Sequence, residues 1–527
     1  MKANKKVLNC CKTASIIALT ATSVVNSSPA TAAEQRITKN SKPNVIFIFP
    51  DQLRRSSMGF WNKQEYAKYL QGAADPVVTP NFDQFAAQGI VLNRAVSNYP
   101  VCSPYRGMLL TGAYPSLSGI TQNCKTSVDD SINTKIASLP MTYKNAGYSV
   151  GYFGKCHWLK TEPHFDKKGN FVGTTDKPGG HYINKYDTFV PAGKNRLGID
   201  YFFQTIKDSH FTPYAYSSDP KLVNGKKDGE MFHTKQFSAK TEAEALIEYI
   251  KNNRNQRIKG EPFFAMWAAN PPHPPCDMKN TYMEFYNKYY SPEKIPNKDL
   301  LFTRGNVNTE RFKQVRSYFA NVSAVDKYFG QVMKALKEAG LEENTIVVLT
   351  SDHGEMLGSH NLTGKPQPYT EAFGIPFIIR YPEKLQHRVD DLILSAPDVM
   401  PTLLGLSDIK VPATVQGHDY SKQLIDPNAG VKDRPKYAAY YTMYSSNKIR
   451  GVYSGDFTLV INLNGKNELK EAYMFNNKID PYQLKKYQFN DYPKESKAML
   501  RFLAKHLKDT DDVWYKNKVA KDLIPYN

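Results

Sequence analysis

Tyr99-Pro100-Val101-Cys102-Ser103-Pro104-Tyr105-Arg106-Gly107-Met108-Leu109-Leu110-Thr111-Gly112 sets a cysteine, a proline and an arginine at i, i+2 and i+4, where an apolar run begins. Proline is tolerated in the first turn of a helix, where its missing N–H costs little. The stretch therefore predicts a helix that opens at Cys102. Free backbone N–H groups and the helix dipole favour an anion at such an end, and Arg106 lies one turn further along the same face. A thiol, a helix N-terminus and a guanidinium together suit chemistry on a tetrahedral oxyanion. The rival reading of Cys102 is a buried free thiol, the commonest fate of a lone cysteine.

Outward from this stretch, four apolar runs end in polar residues. Val45 to Phe49 has the look of a buried parallel strand and stops at Pro50-Asp51-Gln52. Tyr148 to Phe153 stops at Gly154-Lys155-Cys156-His157, Phe263 to Ala268 at Asn270-Pro-Pro-His273, and Ile346 to Leu349 at Ser351-Asp352-His353-Gly354. Ligands of open α/β sheets gather beyond the carboxyl ends of the strands, so these endings predict one shared site. Apolar residues from Phe312 to Leu336 recur at spacings of three and four, a helix with Gly340 as its stop. Helix followed by buried strand is the α/β pattern. Past residue 430, Tyr437–Met443, Ile449–Tyr453 and Phe457–Ile461 read as short strands of a smaller antiparallel sheet, closed by a helix over Ser496–Lys508.

The chain has 527 residues, ample for one large domain and a smaller one. Lys2 to Lys12, the apolar run Ala14–Val25 and Ala30-Thr-Ala32 read as a secretory signal peptide over 1–32, too short for a membrane span. The reading is thus an exported protein, periplasmic or secreted, with no membrane anchor. Net charge is +19; residues 1–32 hold four lysines and no acids, which leaves 65 basic against 50 acidic residues, or +15. A basic protein suits an anionic partner. No nucleic-acid motif accompanies the charge, so no nucleic acid is expected, and a sulfated polymer matches as well as a lysine-rich solvated surface does. Beyond residue 32 the cysteines are Cys102, Cys124, Cys156 and Cys276, too few for a disulfide scaffold, though one pair is compatible with the sequence.

Cys102-x-Pro104-x-Arg106, followed by Leu-Thr-Gly, resembles the signature of the type I, formylglycine-dependent sulfatases of the alkaline-phosphatase-like superfamily. Gly154-Lys155-Cys156-His157 is similar to that family's Gly-Lys-Trp-His, with Cys156 a departure. His273 matches its Pro-His element, Lys365 the lysine downstream of Asp-His-Gly, and Thr79–Asp83, Gly451–Ile461 and Ile479-Asp-Pro-Tyr further segments. The resemblance, over roughly residues 43–490, implies a large, mostly parallel central sheet flanked by helices. It places a catalytic domain at 41–430 and a smaller C-terminal α+β subdomain at 431–527. It also implies one Ca²⁺ held by Asp51, Gln52, Asp352, His353 and the modified Cys102. Gln52 stands where a second Asp is commoner, which keeps an oxygen donor and removes a charge; the nitrogen of His353 is unusual for Ca²⁺.

By the same resemblance, a formylglycine-generating enzyme converts Cys102 to formylglycine, whose hydrated aldehyde attacks sulfur. Arg106, Lys155, His273 and Lys365 bind the sulfate. His273, helped by Lys365, protonates the leaving sugar oxygen, and His157 is the base that releases sulfate. The substrate implied is a sulfated oligo- or polysaccharide, with an algal polymer of carrageenan or ulvan type ahead of a glycosaminoglycan or an aryl sulfate. Loops at 164–216 and 282–302, rich in Tyr and Lys, are expected to wall a groove, with His181, Arg196, His210 and His233 as candidate sugar contacts. A phosphomonoesterase or phosphonate hydrolase of the same superfold would share the metal residues, but usually presents Ser or Thr as nucleophile. A carbohydrate-binding protein with a degenerate site would not need the full polar set.

Overall fold

A computed structural model describes residues 42–516, apart from 126–127, 161–186, 207–208, 301–306, 309–312 and 445–446. The expected signal peptide, His181, Phe312 and part of each expected groove loop lie outside the described residues.

Val-Ile-Phe-Ile and Phe-Phe-Ala-Met-Trp-Ala carry no alternation because both of their faces are covered. They form β1 (Asn44–Ile48) and β7 (Phe263–Ala268) of a ten-stranded sheet. Its other members are β2 (Ile90–Leu92), β3 (Ser149–Gly154), β4 (Tyr201–Thr205), β5 (Tyr214–Ser217), β6 (Phe232–His233), β8 (Thr345–Thr350), β9 (Phe377–Arg380) and β10 (Arg388–Asp390). The order is β10-β2-β9-β8-β1-β7-β3-β4-β5-β6. The central run β8-β1-β7-β3-β4 is parallel, while β9 and the β5–β6 edge run antiparallel. The mixed sheet agrees with the expected α/β architecture, and all four expected strands are present.

Helices cover both faces. On one, Cys102–Thr111, Leu139–Asn145 and Ala396–Leu406 share a core with Phe47, Val150 and Phe264. On the other, Ser238–Lys251 and Val315–Glu338 pack on Ile46, Trp267 and Leu349. The smaller sheet, β11 (Ala438–Tyr444), β12 (Asn447–Tyr453), β13 (Phe457–Leu463) and β14 (Leu469–Asn476), is antiparallel throughout. Met499, Leu503 and Leu507 of the closing helix Pro493–Asp509 bury against it. Strand β14 escaped the sequence reading because its first half, Leu-Lys-Glu, is exposed and charged. A shared cluster of Val96, Phe373 and Ile393 with Tyr440, Tyr453 and Phe475 joins the two sheets.

Beneath the carboxyl ends of β3 and β7 lies Glu242, fully buried and accepting from Thr205 Oγ1 (2.5 Å) and Trp267 Nε1 (3.0 Å). Burial pushes its carboxyl up to about 7, although both bonds pull the other way. An acid raised in the folded state costs stability as pH climbs from its unfolded value, with the full cost present above the folded one. Glu242→Gln is therefore expected to stabilise by about 2–3 kcal/mol near pH 8, with most of the gain gone near pH 5. Thermal melts of both proteins across that range provide the check.

Candidate active site

Strands β1, β3, β7 and β8 all deliver polar side chains to the same edge. Asp51 follows β1, and its N–H donates to Ala269 O at 2.8 Å, just past β7. Lys155 follows β3 directly. Gly154 makes this possible: at φ +106° its added Cβ would lie 2.3 Å from Ala268 O, so only glycine lets β3 turn against β7 there. Asp352 and His353 follow β8, and His273 follows β7. Cys102 is the first residue of its helix, as expected, and all ten residues of that helix are buried.

The thiol is central. Cys102 Sγ lies 3.3 Å from His353 Nε2 and 3.6 Å from Asp51 Oδ1. Asp51, Cys102, Asp352 and His353 offer ligand atoms all within 4.8 Å of one another, and all four are buried. His353 directs Nδ1 to the Gly354 carbonyl at 3.0 Å, which leaves Nε2 facing the cluster, the arrangement that suits a ligating imidazole. Burial pushes Asp51 up, as does Cys102, yet Lys155, His273 and His353 hold it well below the usual carboxylate range. Burial and the neighbouring Asp51 raise Asp352 to about 6. Two buried carboxylates so close together, one of them resisting ionisation, fit a divalent cation between them.

Lys155 Nζ pairs with Asp51 Oδ2, both fully buried. Burial alone would raise the Cys102 thiol, but Lys155, Lys365 and His353 hold it well below its ordinary value. His157 reaches Cys124 O with Nε2 at 3.0 Å, and burial lowers its pKa, so the ring is neutral at pH 7. Lys365 Nζ stands 2.7 Å from both Gln52 Oε1 and His273 Nε2, while His273 Nδ1 donates to Pro274 O at 2.6 Å. Gln52 (φ +67°) and His157 (φ +53°) occupy the left-handed region rare for side-chain-bearing residues. Each is held there by a carboxylate: Asp352 Oδ1 accepts from Gln52 N (2.9 Å) and Asp187 Oδ1 from His157 N (3.0 Å).

All ten expected site residues thus converge. Arg106 donates to Lys155 O at 2.7 Å and spans Asp51 Oδ2 (3.3 Å) and Asp352 Oδ2 (3.4 Å), fully buried over the Phe49 ring. It thus braces the two carboxylates, and the substrate contact also expected of it is not tested by these contacts. Arg196 is no sugar contact; it is buried, forks onto Asp228 (2.6 and 2.7 Å) and packs on Phe202. His210 is buried with Nε2 on His273 O at 2.8 Å, a support for the His273 loop. His233 is exposed beside Tyr214 and reaches Thr212 O. In the 282–300 region, Tyr290 is buried with its hydroxyl at Ser323 Oγ (2.5 Å) and Val78 N (2.8 Å), so this stretch anchors to the helix Val315–Glu338 instead of simply walling a groove. Cys102, Cys124, Cys156 and Cys276 are all free thiols, so no pair forms among the described residues.

Sequence reading missed Glu355 and Arg54. Glu355 accepts from Gly364 N (2.6 Å) and Leu357 N (3.2 Å) and bonds the Gln52 amide, tying residue 52 to the Lys365 loop. Arg54 binds Asp75 (3.0 Å), Glu371 (2.8 Å) and the Glu355 carbonyl. Glu355 lies in the run Asp352-His-Gly-Glu355, where adjacency was a usable signal; nothing local marks Arg54.

A buried thiol and carboxylates fringed by lysines at the carboxyl edge of an α/β sheet define a hydrolase of anionic esters. The chain belongs to the sulfatase family: the model described as Sulfatase matches residues 43–409, and that described as N-sulphoglucosamine sulphohydrolase, C-terminal, matches 358–511. It is accordingly a sulfuric ester hydrolase. An endo-4-O-sulfatase of Bacteroides thetaiotaomicron is 36% identical over 515 residues, 94% of this chain and 97% of the relative. An ulvan-active sulfatase of Formosa agariphila is 28% identical over 516 residues, 92% and 87% of the two chains. A solved structure from work on "metabolism of multiple glycosaminoglycans by Bacteroides thetaiotaomicron" superposes with a TM-score of 0.84 at 35% identity, over 92% of this chain and all of that one.

Proposed function

We propose that this sulfatase removes sulfate from a sulfated glycan, and that Cys102, once oxidised to formylglycine by a maturation enzyme, is its nucleophile. The observation that carries the reading is the 4.8 Å grouping of Asp51, Cys102, Asp352 and His353, with Lys155 and Lys365 beside it. Formylglycine supplies a hydrated aldehyde, with one hydroxyl to attack sulfur and a second to expel sulfate afterwards. A Ca²⁺ held by Asp51, Asp352, His353 and the Gln52 amide oxygen would supply positive charge at the sulfate oxygens.

The chain's own residues do the rest. Lys155 and Lys365 offset sulfate charge, and their burial or half-burial strengthens that attraction. Arg106 holds the two carboxylates in register. The Lys365–His273 pair, anchored on Gln52, is the proton donor to the leaving oxygen, and His157, neutral and bonded to residue 102, is the base that accepts a proton from it.

The donor set predicts a thermal response. Ca²⁺ at 100 times its Kd is expected to stabilise the protein by about 2.7 kcal/mol, seen as a rise in Tm. In Asp352→Asn that rise should be lost. An unchanged rise in the variant would remove the cation from this site.

For the substrate, relatives support both readings named from sequence, and we place the glycosaminoglycan first. The 36% relative's name and the glycosaminoglycan context of the 35% structure favour a glycosaminoglycan 4-O-sulfate, cut within the chain. The algal reading retains the support of the 28% ulvan-active relative. Sulfate release by the matured enzyme from 4-O-sulfated glycosaminoglycan oligosaccharides and from ulvan oligosaccharides, with product structures by NMR, decides between them. Release from neither, alongside phosphate release from phosphate esters, would sink the glycan sulfatase reading. The boundaries proposed are a signal peptide at 1–32, with export, a catalytic domain at 41–430 and a C-terminal subdomain at 431–527.

A further inference from the structure

We propose that a basic cleft beside the carboxyl ends of β2 and β10, apart from the Cys102 site, binds a second anionic group of the glycan chain. The proposal rests on the glycan reading above. The cleft has a volume of about 830 Å³ and is lined by Lys68, Tyr69, Arg94, Arg388, Arg434 and Lys478, with Asp390 and Asp391 as its carboxylates.

The charges do not cancel. Asp390 is taken by Arg388 (3.0 Å) and Arg434, and Arg434 also reaches Asp391 at 3.0 Å. Arg94 is only loosely paired, 3.5 Å from Asp456 and 3.9 Å from Asp391. Among the described residues, Lys68 and Lys478 have no carboxylate partner. Positive charge is thus in excess around a concave space, which focuses the field on a bound anion. Tyr69, 38% exposed with the Lys68 ammonium 5.0 Å from its ring centre, offers an aromatic face for a sugar ring next to that charge. On the same wall the Asn93 amide donates to Tyr69 O at 3.0 Å and fixes the backbone that carries the ring.

Position favours the same substrate. β2 and β8 are both antiparallel to β9, so the carboxyl ends of β2 and β10 open on the edge that carries Asp352. Arg55, three residues after Gln52, donates to Asn93 O at 2.9 Å. A smaller hollow shares Leu70, Gln71 and Pro481 with the cleft and reaches Glu371, the partner of Arg54 at 2.8 Å. A polyanionic chain with one ester at residue 102 can therefore lay a sulfate or carboxylate several sugars away into the cleft. A small ester cannot.

The test compares the matured protein with Lys68→Glu/Lys478→Glu on sulfated glycosaminoglycan oligosaccharides of increasing length and on p-nitrophenyl sulfate. On the longer oligosaccharides KM should rise about 10-fold with kcat little changed, and the gap should narrow with salt. Turnover of p-nitrophenyl sulfate should not differ. An equal KM at every length overturns the cleft. Binding of the same oligosaccharides to Cys102→Ser, by calorimetry, does not depend on turnover. Weaker binding in the cleft variant supports the proposal even if the glycan proves a poor substrate, and equal binding overturns it. If desulfated chains, duplex DNA or inorganic sulfate lose as much affinity as the sulfated chains do, the cleft is a general anion surface and the proposal fails.

Discussion

Cys102→Ala and Cys102→Ser are each expected to lower sulfatase turnover by at least about 10⁴-fold, with Tm within a few degrees of the parent. The reason is chemical as well as steric. Cys102 stands within 3.6 Å of Asp51 and 3.3 Å of His353, at the point where a nucleophile meets both helix end and lysines. A serine there keeps an oxygen, but a serine sulfate ester has no second hydroxyl with which to expel the sulfate, so the enzyme should stall after one turnover. Mass spectrometry of the wild-type peptide carrying Cys102 should show it lighter by the cysteine-to-formylglycine difference, and the modified fraction should track activity across preparations. An active enzyme with an unmodified thiol would overturn this nucleophile. Expression without a maturation enzyme should give a folded protein of low activity, because the thiol already packs without the modification.

His273→Ala is the second large effect, about 10²–10⁴-fold in kcat on a sugar sulfate. The Nε2 atom lies 2.7 Å from Lys365 Nζ, and Nδ1 is engaged by Pro274 O, so His273 and Lys365 share one proton position. A sugar alkoxide is a poor leaving group and needs that proton. Nitrophenolate leaves without one, so the loss on p-nitrophenyl sulfate should be far smaller. Lys365→Ala should resemble His273→Ala, and the double variant should be little worse than either, as for groups that act as a unit. Equal losses on both substrates would assign the pair to sulfate binding instead of proton transfer. Additive losses would separate the two residues.

The strands were legible because burial on both faces leaves unbroken apolar runs, and because each run ends in residues no core would accept unpaired. The order Asp51, Cys102, Lys155, His273, Asp352 and Lys365 could be read along the chain in the same way. The direction in which a long side chain points could not. Arg106 and Arg196 both looked like anion contacts, yet both are buried forks on carboxylates supplied from elsewhere in the chain: Arg106 on Asp51 and Asp352, Arg196 on Asp228. Glu355 and Arg54 act only through the fold, one joining residue 52 to the 365 loop and the other joining residues 75, 355 and 371.

Sequence by itself determined the helix at Cys102, the parallel strand set, the chemical types at the site and the family they resemble. Tertiary structure alone decided which carboxylates Arg106 and Arg196 brace, that His210 serves His273, and that a basic cleft opens along the same sheet edge. Local periodicity and turn chemistry act over a few residues and are written in their order. The pairing of buried charges depends on which strand ends become neighbours, and that is settled only when β8, β1, β7 and β3 lie side by side.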